Sequence, residues 1–466
     1  MRSILTAAVT VVALAAGPMA NAETLADALI AAYKNSHLLD QNRALLRAAD
    51  EDVATAVADL RPVVNFTLQS TYRDIENTNQ VFTGTGFVSV ESRDESLDTQ
   101  AQLSWDLTLL DFGRNRLAIE NAKETVLATR EALVDLEQRV LLSAVQAYVN
   151  VRLTQDIVAL RQSNVRLITQ ELRAAKDRFD VGEITRTDVA IAESRLASSR
   201  ANLAAAEGEF TVAREAYKAA TGAYPGKLAG PPAAPKTARS LKEAIAVALR
   251  THPVLKQTQH QVAAADVNVG RAEAAMKPTL GARAIVGLAP GGVESESLSL
   301  TLNQTIYAGG KLSALYRRAL ASREAARAGL HQTAVTVEQS VGNAWSNLEV
   351  SDVSIRATEL QISAARTAYD GLREEAKLGA RTTLDVLNAE QELLDAQAAR
   401  LSAEATRYFG VYQLLQAMGL LTVDHLQLGI PTYDVSAYYN AVKSAPATSS
   451  QGKALDRVLQ SIGGGN

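Results

Sequence analysis

Five histidines and many carboxylates are what this chain offers for chemistry, and cysteine is absent from all 466 residues. His37, His252, His260, His331 and His425 show none of the short spacings by which histidines share a metal. Without cysteine there is no thiol nucleophile, thiolate ligand or disulfide. No nucleophile elbow or phosphate-cradling loop stands elsewhere. Two aspartates sit in a repeated setting, Thr185-Arg186-Thr187-Asp188 and Thr382-Thr383-Leu384-Asp385. Thr-x-x-Asp is the pattern of a capping box, in which the carboxylate accepts a backbone N–H at a helix start. That is structural chemistry, and the other helix carboxylates read as solvated faces. Neither an enzyme nor a cofactor is expected, and a net charge of -4 gives nucleic acid nothing to hold.

The elements that position these residues are written twice. Leu25-Ala26-Asp27-Ala28 returns as Leu241-Lys242-Glu243-Ala244, and Pro62 returns as Pro278, both offset by 216 residues. Further on, Gly113 and Gly310, Gly182 and Gly379, Asp188 and Asp385, and Gly222 and Gly419 pair at an offset of 197. A tandem duplication with a shorter loop in the second copy explains both offsets. It gives a first repeat over 23–223, a linker over 224–239 marked by Pro225, Pro231, Pro232 and Pro235, and a second repeat over 240–419. An extension over 420–443 follows. The Ser-, Ala- and Gly-rich stretch over 444–466 is expected to be a disordered tail.

Each repeat reads helix, strand pair, very long helix, turn, helix. The stretch 114–181 contains neither Gly nor Pro; as one helix it would run for ~100 Å at 1.5 Å per residue. Its counterpart is 311–378. Ala144, Val151, Val158, Val165, Leu172 and Phe179 recur every seven residues, as in a coiled-coil seam. Leu153, Leu160, Leu167 and Ala174 form a second seam about 200° away. Seams on nearly opposite sides suit a wall of helices, although a solid bundle core also fits them. Gly182 and Gly379 mark the tip turns, and the capping boxes start the returning helices over 185–221 and 382–418.

Between these helices the spacing changes to alternation, in pairs of strands over about 63–108 and about 279–307. Phe66, Leu68 and Tyr72 alternate with Thr67, Gln69 and Thr71; Leu298, Leu300 and Leu302 alternate with Ser299, Thr301 and Asn303. Runs of about ten residues with one apolar face match a barrel wall between lipid and a wet lumen. A half-covered soluble sheet is the competing reading. Lipid tolerates no open sheet edge, and the smallest membrane barrels have about eight strands. Four strands in lipid therefore require partners, and three chains supply twelve strands and six hairpins. The stretches between strands, 74–96 and 289–296, are expected as loops on the side away from the helices.

The first residues have the form of an export signal over 1–22: Arg2, an apolar run from Ile4 to Ala16, then Ala20-Asn21-Ala22. This points to a large bacterial envelope protein that leaves the cytoplasm.

With these features in place the chain resembles the TolC family of outer-membrane efflux and type I secretion channels. The resemblance rests on the duplicated plan and on Leu109-Leu110-Asp111-Phe112-Gly113-Arg114, where a strand meets the long helix. It rests also on two tip motifs, Arg178-Phe179-Asp180-Val181-Gly182 before Thr187-Asp188-Val189, and Leu378-Gly379-Ala380-Arg381-Thr382-Thr383-Leu384-Asp385-Val386-Leu387. It implies an α+β membrane protein, a homotrimer whose strands close a 12-stranded β-barrel in outer-membrane lipid and whose hairpins form a periplasmic α-barrel. The extension would be equatorial. A periplasmic adaptor and an inner-membrane transporter of ABC or RND type are the implied partners. The implied gate is an iris at the tips: Asp385 in a ring of three carboxylates, and Arg381, Asp188 and Thr187 in the polar network that holds it shut. Asn388 stands where the family has a second acidic ring, and Ala376 where it has a tyrosine. The missing cysteine departs from the lipidated drug-efflux branch. The rival reading is a soluble periplasmic adaptor with helical hairpins.

Overall fold

The computed structural model describes residues 22–82, 84–289 and 292–445. The expected export signal, all but its last residue, and the expected tail beyond residue 445 lie outside the described residues.

The duplication is visible in the bounds of the elements. In the first repeat α1 (Leu25–Asn35) and α2 (His37–Ala58) lead into β1 (Val63–Phe82) and β2 (Phe87–Leu110), then α3 (Arg114–Asp180) and α4 (Arg186–Thr221). The second repeat runs α5 (Leu241–Thr251), α6 (Pro253–Ala274), β3 (Thr279–Ala289), β4 (Val293–Asn303), α7 (Lys311–Lys377) and α8 (Thr383–Ala417), before a short α9 (Ala437–Val442). Both α3 and α7 are single helices of 67 residues. Local chemistry sets the joints. Thr24 and Asp27 box the start of α1, Ser240 caps α5, and Pro253 opens α6, where a missing N–H costs nothing. Asp111 accepts from the N–H groups of Gly113 (2.9 Å) and Asn115 (2.7 Å), so it caps α3 at its junction with β2.

The chain forms two compact units. The first comprises the described residues up to Ser36, Arg139–Thr237 and Ala344–Gln416. Tyr148 and Tyr217 are fully buried in it. The Tyr148 hydroxyl donates to the Ala229 carbonyl at 2.7 Å, and Glu23 N–H donates to the Lys227 carbonyl at 2.9 Å, so the proline-rich linker is tied to the start of α1. Asn35 Nδ2 donates to the Thr221 carbonyl at the end of α4 (2.7 Å). Ala144, Val151 and Leu172 of the first seam are buried, and burial passes to Ile168 and Ala175 nearer the tip. Leu153, Leu160 and Leu167 of the second seam are only partly covered.

The second unit comprises the described residues of His37–Gln138, of Ala238–Asn343 and from Ala417 to Ala445. Its core includes Leu39, Leu46 and Val53 of α2 and Leu421 and Val423 of the extension. Val423 N–H donates to Glu137 at 2.7 Å, and Thr251 Oγ1 to the Met418 carbonyl at 2.7 Å, the counterpart of the Asn35 bond.

This unit holds one antiparallel sheet in the order β1-β2-β3-β4. The register lays Val64, Trp105, Ala284 and Leu298 in one row and Phe66, Leu103 and Val286 in the next, all on one face. The other face carries Asn65, Ser104, the Gln69–Gln100 bond (3.1 Å) and the Arg283–Asp106 pair (2.6 Å). Phe66 is 70% exposed and Leu298 77% exposed, an apolar face that water would not tolerate bare.

Both expected loops and one strand end change: Val293–Glu296 of the expected loop 289–296 is already β4, paired from Ala289↔Val293. The stretch 74–96 is not a loop: β1 and β2, 20 and 24 residues long, stay paired from Val63↔Asp106 to Phe82↔Phe87, and only the turn around Gly84 separates them. The apolar face ends at Tyr72↔Leu97 and gives way to Asp74↔Glu95 and Glu76↔Arg93. Ladder hydrogen bonds do not need an apolar face, so pairing outlasts it; the Arg93–Asp74 pair (2.5 Å) helps. Conversely, β4 stops at Asn303, and Thr305, Ile306 and Tyr307 are irregular chain leading to α7.

Candidate functional site at the hairpin tips

Both tips lie in the first unit, and each is built from a glycine and a capping box. At the α3–α4 turn Gly182 takes φ 81°, open to glycine at no steric cost. Its N–H donates to Phe179 O (2.9 Å), and Glu183 N–H to Arg178 O (2.9 Å). Thr185 N–H and Oγ1 then donate to Asp188 Oδ2 at 3.0 and 2.7 Å. The α7–α8 turn repeats this with Gly379 at φ 79°, and Thr382 N–H and Oγ1 donate to Asp385 Oδ2 at 3.1 and 2.8 Å. These bonds from Thr382 hold the Asp385 carboxyl below the ordinary aspartate range, with Arg381 adding to the effect. Asp385 is therefore ionised at neutral pH as well as engaged in its cap.

The expected polar network is only partly assembled within one protomer. Arg381 donates from Nε to Glu375 Oε2 at 2.8 Å, across its own turn, and Asp188 serves its own cap. Thr187 is exposed. Asn388 is exposed too, and accepts from Arg195 Nη2 at 2.6 Å, so α4 and α8 touch where a second acidic ring was expected to be missing. Arg373 on α7 reaches Glu171 on α3 at 3.6 Å. Beside this pair lies a groove of about 250 Å³, walled by Glu171, Ala175, Arg178, Ala376, Val386 and Leu387. Ala376, the position for which the family resemblance implies a tyrosine, lines that groove. Beneath it Leu387 packs with Ile168, Leu172, Ala192 and Leu196.

The sequence reading missed a buried group close by. Glu390 is 4% exposed and accepts from Asn164 Nδ2 at 2.7 Å. The reading of helix carboxylates as solvated faces is wrong here. Its signal was present: Val386, Leu387 and Leu394 stand at i−4, i−3 and i+4 from Glu390, so the carboxylate lies on the helix's apolar stripe. Among the described residues no group of three or more His, Cys, Asp or Glu is placed to hold a metal.

A duplicated protomer with a two-faced, open-edged sheet and two long hairpins is a channel subunit, not a catalyst. The sequence profile of the outer membrane efflux protein family matches residues 29–223 and 244–420, the two repeats without their linker. The outer membrane efflux protein BepC of Brucella suis biovar 1 (strain 1330) is 36% identical over 434 residues, 92% of either chain. The alkaline protease secretion protein AprF of Pseudomonas aeruginosa is 25% identical over 303 residues, 61% of either chain. In architecture the chain is similar to the CusC channel, with TM-score 0.74 and 19% identity over 85% of this chain and 92% of that one. The OprN outer-membrane channel gives TM-score 0.72 and 22% identity over 85% and 89%. The chain thus belongs to the outer membrane efflux protein family, of TolC type. It is an outer-membrane exit duct for efflux or secretion, extending into the periplasm, and not a soluble adaptor.

Proposed function

We propose that three copies of this chain form a passive duct for a tripartite export system, gated by an iris at the periplasmic hairpin tips. The observation that carries the reading is the sheet: four antiparallel strands in one sheet, with a single register shift between Thr108 and Leu110 in the β2–β3 pairing, apolar on one face and polar on the other, with β1 and β4 left as open edges. Lipid would leave those edges unpaired at several kcal/mol per group. Joining β1 of one copy to β4 of the next, three times, closes a barrel of twelve strands. The partly covered second seam on α3 then meets the neighbouring hairpin.

A duct has no energy source, so it docks on an inner-membrane pump, of ABC or RND type, through a periplasmic adaptor. Relatives named for efflux, for alkaline protease secretion and for cation efflux leave small molecules and protein both within the cargo range of the fold. At the tips, Asp385 carboxylates from three copies make an anionic ring that concentrates cations at the entrance. Asn388 leaves that ring without a second one. Arg381, held by Glu375 across its own turn and with Asp188 and Thr187 near the same mouth, forms the restraint, and contacts near Arg381 are what opening breaks.

Two measurements test this. A single cysteine introduced as Thr85→Cys, in the turn between β1 and β2, should react with a membrane-impermeant maleimide on intact cells. Labelling only after the outer membrane is broken would sink the barrel orientation. In planar bilayers Arg381→Ala should raise the conductance of the resting channel several-fold; unchanged conductance would remove the gate from this pair.

A further inference from the structure

Inside the first unit α3, α7 and α8 meet at a polar node set in apolar layers. Glu390 on α8 uses Oε1 to accept from Asn164 on α3, which is itself 6% exposed. Glu390 Oε2 is buried without a partner, and so is the hydroxyl of Tyr369 on α7. Tyr369 packs with Val386 and Ala389, one residue before Glu390, and with Leu167 and Leu393. A carboxylate with one oxygen satisfied and the other dry is costly to ionise.

The charges facing this node do not rescue it. Glu171 on α3 bears on it with like sign, and Arg195 on α4 with opposite sign. Arg195 is committed to Asn388, and Arg373 on α7 to Glu171. Glu171 and Asp370 also bear on the Tyr369 hydroxyl and, like burial, push it up, against Arg373. Burial first, then Glu171, pushes Glu390 from the usual 4.5 to about 7, against the opposing pull of Asn164 and Arg195. Most helix carboxylates would be ionised throughout the physiological range; this one changes charge within it.

We propose that Glu390 is a proton-operated fastener between the two helical hairpins of one protomer: neutral, it stays buried where α8 meets α3; ionised, it gains a stronger bond from Asn164, but the cost of a dry charge beside Glu171 exceeds that gain and loosens the two helices. The inference does not depend on the iris. Its sign follows from linkage: the fastened protein keeps a proton that a loosened, hydrated Glu390 gives up at the ordinary pKa. Fastening is complete below the usual glutamate pKa of 4.5 and is lost as pH rises through about 7.

Hydrogen exchange on the purified full-length protein tests this. Peptides over 160–170 and 384–394 should lose about tenfold or more in protection, corrected for intrinsic rate, as pH rises from about 5 to about 8.5. In Glu390→Gln, whose amide stays neutral, protection should be the same at both pH values. A wild type without the loss, or a variant with the same loss, overturns the fastener. The infrared band of a protonated carboxyl supplies a second readout on the wild type alone. Asp50 and Glu137, which burial also raises, share this band; it should lose intensity between pH about 6 and about 8, and its absence at the lower pH, or no loss over that range, overturns the proposal even if the variant fails to fold.

Discussion

Gly419→Ala is expected to be among the most damaging single substitutions in the chain, and its repeat-related partner Gly222→Ala distinctly milder. Both glycines end a returning helix in the left-handed region, at φ 72° and 90°, where any side chain costs ~1–2 kcal/mol. What surrounds them differs. A Cβ on Gly419 would stand 2.6 Å from His252 Cα, 2.9 Å from His252 N and 3.1 Å from the Thr251 carbonyl carbon. These are backbone atoms at the joint between α5 and α6, so the end of α8 would have to move and strain the Thr251–Met418 bond. Strain plus displacement comes to about 3–5 kcal/mol per protomer, at the diagnostic end of single-substitution effects. At Gly222 the three atoms nearest the new Cβ all belong to the Asn35 side chain, Nδ2 at 2.9 Å. Asn35 can swing aside if its bond to Thr221 is given up, for a total of about 2–3 kcal/mol. Melting of the two purified variants against wild type, with yield in the outer membrane, is the measurement. Equal losses would show that glycine conformation, not backbone approach, is the whole cause.

That contrast shows where the sequence speaks and where it falls silent. The pairing of Gly222 with Gly419 is legible as a repeat, and so are the helix bounds, because caps are local: Thr-x-x-Asp followed by a Gly-free run leaves few alternatives. α1 and α5, and α2 and α6, obey the offset read from Leu25 and Leu241 at both ends. The face each strand gives to the apolar side is legible for the same reason, since side-chain period two is a local rule. Which neighbour a glycine leans on is not local. The packing of His252 under Gly419, and of Asn35 under Gly222, is set by elements more than 160 residues away.

Two kinds of residue were misread by the same shortcut, that polarity means water. The polar stretch 74–96 forms strands because strands need ladder partners, not apolarity, and Val63–Phe82 faces β2 throughout. Glu390 and Asp50 are carboxylates on long helices, yet both are buried. At the tips the caps were legible as caps. The partners of Arg381 and Asn388 were not, because Glu375 and Arg195 come within reach only once the turns are built and α4 lies beside α8.

Asp50 supplies the other large expected effect. It is 1% exposed in the second unit, and neither carboxylate oxygen has a partner. Around it a C-terminal strap is fastened to α2 and to the first part of α3. Tyr438 donates to Glu51 at 2.7 Å, the Arg43 guanidinium lies 5.5 Å from the Tyr433 ring centre, and that of Arg130 5.2 Å from Tyr439. Burial pushes Asp50 from 3.8 to about 6, with Arg130 opposing and Glu51 reinforcing the rise. The folded chain therefore binds a proton that the unfolded chain has released, and stability falls as pH rises from about 4 until the folded pKa of about 6 is passed. The full penalty is on the order of 3 kcal/mol per protomer at pH about 8, and roughly half of it is already present at pH about 5. Asp50→Asn keeps the shape and removes the charge. Arg130 retains its tyrosine ring, so the variant should melt higher than wild type at the alkaline pH, and its advantage should shrink by about half at the acid one. The comparison is a difference of differences, so Glu137 and Glu390, which burial also raises, cancel between the two proteins. A variant that is less stable at both pH values would mean that Asp50 is needed as the counter-charge of Arg130. The strap would then be held by an ion pair through the helix stripe rather than strained by a lone buried charge.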